Sequence, residues 1–535
     1  MVLWKIVCAI AALYALGAVE PAPLRDDVSD TSDELVILDE NFPGYGAALS
    51  KNASPTSGTL STGTIPGSEK YHPGLLHAPL AQRRLELTKS VDTKKLETFF
   101  SRELEFDLTK LPTKCDHHPA PWPSSYWPSY VDGINYRWAK NQPSPSEKYA
   151  TAFGHDVATL MGKISAKRGI DSGKKRKKCT HDNDCKVLLD GSVCAKSPSE
   201  KNSSYCVPTW FGVCHAWAPA SCLEPEPICP VERNGVIFEP YDIKALITMA
   251  YDGSKISSVF LGSRCNSNDR THNKTDQYGR YEDPRRLDIS PSLFHLLATN
   301  VLCLFNHTFV VDISSGMEVW NQPARKFQIL RMYWMTPTEA AKKYFNVDKY
   351  PFNDAATKIA VITSRFSWVA ESGVNGPLVS TGLVDKYTKS ADYDYILETD
   401  ETYKIWGGEW LGESKYNHLD FAWLPAQTPD NSTVTAEGIV YAEVKSLLDE
   451  SIRGDCGPPS PGRQATNPVP MTHTPDGTAH SGAQPAQPAS PVPGAQPAPS
   501  VPGAQPGSPV PGAQPASSVP GAQPGSSVPG APASP

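Results

Sequence analysis

The stretch Pro208-Thr209-Trp210-Phe211-Gly212-Val213-Cys214-His215-Ala216-Trp217-Ala218 sets a cysteine between a small, permissive glycine and residues able to open a helix. A helix N-terminus carries partial positive charge and unsatisfied backbone N–H groups, so it favours thiolate over thiol and can hold an oxyanion. Trp210 and Trp217, on either side, predict an apolar slot for the aliphatic arm of a substrate side chain. Cys214 is therefore the candidate nucleophile. The competing reading makes it one more half-cystine.

Cysteine parity bears on that choice. Met1–Ala18 reads as a secretory signal peptide: Lys5 precedes the apolar run Ile6–Ala18, which ends in small residues. Its thirteen apolar residues fall short of the roughly 20 needed to span a bilayer. Of twelve cysteines Cys8 leaves with the signal, and the remaining odd number demands at least one thiol unpaired within the chain. Export favours disulfides for the others. Sequons at Asn52, Asn202, Asn273, Asn306 and Asn431 agree with a secreted, extracellular or cell-wall protein.

A thiolate nucleophile needs a base, and the base needs an orienting group. His215 is adjacent, but neighbouring helical residues point about 100° apart. The runs Ser292–Leu297 and Thr308–Ile313 read as two strands that could pair antiparallel and set His295 beside Asp312. Cys214, His295 and Asp312 are thus the candidate catalytic set. His418 and Asp420 form a rival pair, with a packed sheet corner as its plainer reading.

Around this set, Ser144-Pro145-Ser146-Glu147 and Thr336-Pro337-Thr338-Glu339 are capping boxes with proline at the first helical position. The first predicts a helix running through Ile164 to a cap at Gly169, and Pro240 opens another. Phe327–Trp334 and Thr357–Phe366 read as strands. Irregular alternation of helices and strands points to an α+β fold. Cys179, Cys185, Cys194 and Cys206, with His181 near, read as a disulfide-stapled insert over 179–206 in preference to a zinc site, because no Cys-x-x-Cys spacing occurs.

The ends differ in composition from this core of 91–456. Residues 19–90 read as a flexible leader or pro-segment, with Gln82-Arg83-Arg84 a processing site, and 457–535 as a disordered Pro/Gly/Ala/Gln tail. In that tail Val-Pro-Gly-Ala recurs every nine residues from Val492 to Val528. The net charge of −7 argues against a nucleic-acid partner, and no second segment is apolar enough for a membrane. The basic block Lys174–Lys178 reads as a solvated loop.

The segment Glu318-Val319-Trp320-Asn321-Gln322-Pro323-Ala324-Arg325-Lys326-Phe327 resembles the signature peptide of the oomycete transglutaminase elicitors. The resemblance extends to Ala120–Trp138, Phe211–Ala218, Ser292–Asn300 and Ile405–Pro425. It implies a transglutaminase-like or papain-like acyltransferase core and a secreted, calcium-dependent protein–glutamine γ-glutamyltransferase. Cys214, His295 and Asp312 match the family's catalytic residues, and Val319, Trp320, Asn321, Gln322, Pro323 and Arg325 form the elicitor motif. The partners it implies are proteins with accessible Gln and Lys, cell-wall proteins among them, and a plant receptor. Ala324, Lys326 and Gln328 stand where the best-known elicitor peptide has valine, glycine and lysine. A papain-like cysteine protease and a non-catalytic wall protein recognised as an elicitor are the alternatives. Calcium rests on the resemblance alone, since no EF-hand-type loop occurs.

Overall fold

Hydroxyl or carboxylate caps followed by proline start four of the helices, as their pre-set φ and missing N–H allow. In chain order the helices are α1 (Val91–Phe100), α2 (Pro145–Phe153), α3 (Val157–Arg168), α4 (Cys214–Leu223), α5 (Pro240–Asp252), α6 (Pro291–Leu296), α7 (Pro337–Ala340) and α8 (Tyr441–Arg453). The computed structural model describes residues 36–38, 91–254, 256–262, 275–281, 288–314 and 318–454. These fall in one compact unit, Met1–Ala483. The signal peptide, Gln82–Arg84, Asn52, Asn273 and the repeats of the tail lie outside the described residues.

Both expected capping boxes form. Glu147 N donates to Ser144 Oγ at 3.3 Å and Ser144 N to Glu147 Oε2 at 2.7 Å. Thr336 and Glu339 make the same exchange. The helix expected from Ser144 to Gly169 is instead two, because Gly154 takes a left-handed φ of 74° that ends α2, and Asp156 then caps α3.

Thirteen strands occur among the described residues: β1 (Val36–Leu38), β2 (Lys114–Asp116), β3 (Ser192–Lys196), β4 (Ser204–Pro208), β5 (Val231–Arg233), β6 (Val236–Phe238), β7 (Ile256–Gly262), β8 (Val310–Asp312), β9 (Asn321–Met335), β10 (Lys358–Val369), β11 (Thr388–Thr399), β12 (Ile405–Trp410) and β13 (Phe421–Pro425). Nine form one sheet in the order β1-β7-β13-β8-β9-β10-β11-β12, with β2 also on β9; β3-β4 and β5-β6 are separate hairpins. Helices and antiparallel strands in irregular order make this an α+β fold. Within the segment read as a flexible leader or pro-segment, β1 pairs with β7.

Side chains alternate across a strand, and here both faces of the central strands are buried. Val310, Phe421 and Trp423 pack with the helical layer that contains α4 and α5, whereas Val311, Ala422 and Leu424 pack with α6. Burial on both faces explains why these strands read as unbroken apolar runs.

Cys115–Cys303 ties β2 to the end of the π-helical turns Leu297–Leu304 that follow α6. The insert carries Cys179–Cys194 and Cys185–Cys206. Cys229 is also disulfide-bonded, to a partner outside the described residues. Cys179, Cys185 and Cys206 are the one group among the described residues with metal-ligand proximity, and both bridges consume their sulfurs. In the basic block the four lysines are exposed, as a solvated segment requires, and Arg176 is held: its Nε donates to Cys206 O at 2.7 Å and its guanidinium lies 5.4 Å from the Phe211 ring. Asn202, Asn306 and Asn431 are exposed. No described helix is long and apolar enough to cross a membrane.

Candidate functional site

Cys214 is the first residue of α4, and the preceding loop is stitched to residues 126–129. Val213 N donates to Tyr126 O at 2.7 Å and Ser129 N to Phe211 O at 2.8 Å. Gly212 is required by this approach, because a Cβ there would meet Tyr126 O at 2.4 Å. No side chain caps the helix; Ala216 and Trp217 donate back to Val213 O. The helix dipole therefore begins at the cysteine itself.

Among the described residues Cys214 and Cys222 are the free thiols, as parity required of at least one. Cys214 is buried. Its Sγ lies 3.6 Å from Val319 O and 3.7 Å from Asn321 Nδ2. Burial pushes the thiol up to about 12, opposed by the backbone and side-chain N–H groups of Asn321, while the charges of Glu371 and Asp312 push it further up. In this closed arrangement the sulfur is protonated at neutral pH, and Val319 O is the acceptor for its proton.

Asp312 is placed as β8 dictates. It pairs with Asn321 across β8 and β9, and lies two residues from Val310, whose side chain packs in the helical layer. Asp312 and Asn321 thus share the face that meets α4. Asp312 Oδ1 accepts from Ser314 N at 3.1 Å and Trp320 N at 2.9 Å, which holds the connection between the two strands.

His295 corrects the expected arrangement. Its segment is helical: Ser290 Oγ accepts from Leu293 N, Pro291 follows, and α6 runs on into the π turns. No β8 partner strand exists there, so His295 cannot sit beside Asp312 in a ladder. His295 Nδ1 is 2.8 Å from Tyr395 Oη, and Nε2 makes no hydrogen bond. Burial lowers its pKa to about 3. It contacts neither Cys214 nor Asp312 by hydrogen bond. The structure sets Cys214 and Asp312 on the same side of the sheet and leaves His295 on the other, packed edge-on against Phe327.

His215 points away from the thiol, as helical geometry requires. Its Nε2 is 2.8 Å from Asp252 Oδ1, and Arg168 Nε binds Asp252 Oδ2. His418 pairs with Asp288 at 3.3 Å instead of with Asp420, donates from Nδ1 to Ser414 O at 2.8 Å, and stacks on Trp410. Burial lowers it to about 4. That is the packed corner, not a second catalytic pair.

The tryptophans also need correction. Trp217 is fully enclosed and its indole N–H donates to Trp122 O at 3.2 Å, so it is core packing and no wall of an open slot. Trp210 is nearly as buried, edge-on to Phe211. The burial of Trp217 follows from a helix that packs on both the sheet and α5.

Val319, Trp320, Asn321, Gln322, Pro323 and Arg325 are all buried. They enter β9 directly under the thiol. Gln322 Nε2 donates to Glu371 Oε1, and Arg325 Nη2 lies 2.8 Å from Asp385 Oδ1. Sequence reasoning missed Glu371 entirely; nothing local marks it. It also missed the contact of Asn321 with sulfur, although the motif had singled that residue out.

The transglutaminase elicitor family matches residues 92–454. Among solved structures, the chain is similar to the GP42 transglutaminase from Phytophthora sojae, at 44% identity over 67% of this chain and 97% of that one, with a TM-score of 0.61. A comparison with curated proteins gave no match. With the match covering most of the chain and ending at the close of α8, the chain belongs to the transglutaminase elicitor family.

Proposed function

We propose that this chain joins protein glutamine to protein lysine, with Cys214 as the nucleophile of a papain-like core. The observation that carries the reading is one reduced thiol, at the start of a helix and against an antiparallel sheet, in a chain whose other described cysteines except Cys222 are in disulfides. Cys214 Sγ adds to the γ-carbonyl carbon of a glutamine side chain. The C–N bond breaks, ammonia departs with the thiol's proton, and a thioester remains. A lysine ε-amine then attacks the thioester carbon; the C–S bond breaks, a proton returns to sulfur and an isopeptide bond is left. The carboxylates whose charge bears on the sulfur are Asp312 and Glu371, and we assign them the proton handling in place of His295. Burial of the site disfavours water as the competing acceptor.

Disulfides support a secreted protein acting in an oxidising compartment. Calcium stays an implication of the family resemblance, and no step of the cycle is routed through it. A plant receptor that reads Trp320 and Pro323 meets those side chains in a released or unfolded segment, because in the folded chain they are buried.

A glutamine-rich protein offered together with a labelled primary amine separates this reading from a cysteine protease. Label incorporation and higher-mass products, without fragments, are expected. Fragments without incorporation would assign the thiol to peptide-bond hydrolysis instead.

A further inference from the structure

The two ends of an asparagine amide do different work: the oxygen only accepts and the nitrogen only donates. Which end faces which neighbour is usually ambiguous, but here a donor-only group settles it. Trp423 Nε1 lies 2.8 Å from Asn321 Oδ1, and an indole N–H cannot accept. The oxygen therefore faces Trp423, and the NH2 end faces Cys214 Sγ at 3.7 Å. Trp423 pairs with Val310 on β13 and β8, and Asn321 pairs with Asp312 on β9 and β8, so adjacent strands hold all of these groups on one face. Asn321 is fully buried, and its amide has no solvent-exposed alternative.

A donor aimed at sulfur interacts more favourably with thiolate than with thiol. The backbone N–H of Asn321 acts on the sulfur in the same sense. Val319 O, 3.6 Å away, does the reverse by accepting from the S–H. The sulfur thus sits between an acceptor suited to its neutral form and a paired donor suited to its charged form. The other charged groups that bear on it are Asp312 from β8 and Glu371 beyond β10, both of which oppose ionisation; His215 on α4 is engaged by Asp252.

We infer that Asn321 is a catalytic residue of this site: its side-chain and backbone N–H groups hold the Cys214 thiolate, and Trp423 is the positioning residue that fixes the amide with its nitrogen toward sulfur. This rests on the reading of Cys214 as nucleophile. It gives the asparagine of the peptide motif a role in chemistry, independent of recognition by any receptor.

The test is the pH dependence of iodoacetamide alkylation at Cys214, followed peptide by peptide so that Cys222 is read separately. In Asn321→Ala the midpoint is expected to rise by about one pH unit, a tenfold smaller thiolate fraction at a given pH. Asn321→Asp keeps the shape but sets a carboxylate at the sulfur, and should raise the midpoint further. Trp423→Phe, which leaves Asn321 in place, should move it in the same direction by less. A midpoint unmoved in Trp423→Phe, in protein with wild-type near-ultraviolet circular dichroism, overturns the assignment, and that decision stands even if Asn321→Ala fails to fold. A carboxylate at the sulfur raises the midpoint whatever Asn321 does, so the decision rests on Trp423→Phe, which packing alone would leave at the wild-type midpoint. The readout needs no acyl transfer, so a moved midpoint in a protein that incorporates no amine would refute the proposed function while leaving the role of Asn321 intact.

Discussion

Replacing Cys214 with alanine is expected to lower amine incorporation by on the order of a millionfold, the scale on which removing a nucleophile acts. The protein should remain folded. The side chain is small, its neighbours Val319 O and Asn321 Nδ2 are at weak sulfur distances of 3.6 and 3.7 Å, and alanine is at least as good a helix former. Alanine leaves the amide of Asn321 tied to Trp423. Stability is therefore expected to change by about 1 kcal/mol or less, by analogy with small losses of buried volume. Activity and thermal unfolding measured on the same preparation check both halves. Cys222→Ala is the companion, and should keep activity, since that sulfur lies near Thr308 Oγ1 at 4.0 Å and away from the Asn321 amide.

The second large effect lies behind the nucleophile. Asp252, Arg168 and His215 are all buried, with Asp252 Oδ1 on His215 Nε2 and Oδ2 on Arg168. Asp252→Ala strands a buried guanidinium, and removing one partner of such a pair costs about 3–5 kcal/mol. Because His215 follows Cys214 directly, loosening it shifts the start of α4. A displacement of about 1 Å at the sulfur costs on the order of a hundredfold in rate. Urea unfolding and amine incorporation measure the two effects.

The same carboxylate sets a pH window. Burial alone would raise it, but the Arg168 charge, then His215, overcome that and hold it at about 2 against its ordinary 3.8. A depressed carboxyl pKa means that the unfolded chain takes up the proton first. The stability contributed is present in full above about pH 4 and is lost as pH falls toward 2, amounting to ~2 kcal/mol. Asp252→Asn removes this segment of the pH–stability curve.

Local signals in the sequence were read correctly where the physics is local. Ser144 and Glu147 close their own capping box within three residues, and Pro240 starts α5 because its ring pre-sets φ. A free thiol followed from an odd count. What failed was the run Ser292–Leu297. Its apolar residues are buried all round, so their spacing carries no period that separates helix from strand; the Ser290-Pro291 cap was the signal that could have decided it. Placing His295 on a strand then paired it with the wrong group, and its actual partner Tyr395 is a hundred residues away in sequence. Asn321 meets Cys214 across a separation of 107 residues, and Glu371 acts on it from beyond β10. No window of local sequence contains such contacts. Asp312 was chosen as the partner of His295 across two expected strands; it shares the face that α4 covers because of strand alternation in β8, which that reasoning did not use.

The central claim, an acyl group carried on Cys214, is tested most directly by mass spectrometry of the protein incubated with a glutamine peptide and no amine acceptor. The account predicts a Cys214-containing peptide heavier by the glutamyl acyl group, with one ammonia released per adduct and the mass lost again on adding a lysine donor. Ammonia release and isopeptide formation with the Cys214 peptide unmodified throughout, or with that sulfur found in a disulfide, would contradict it.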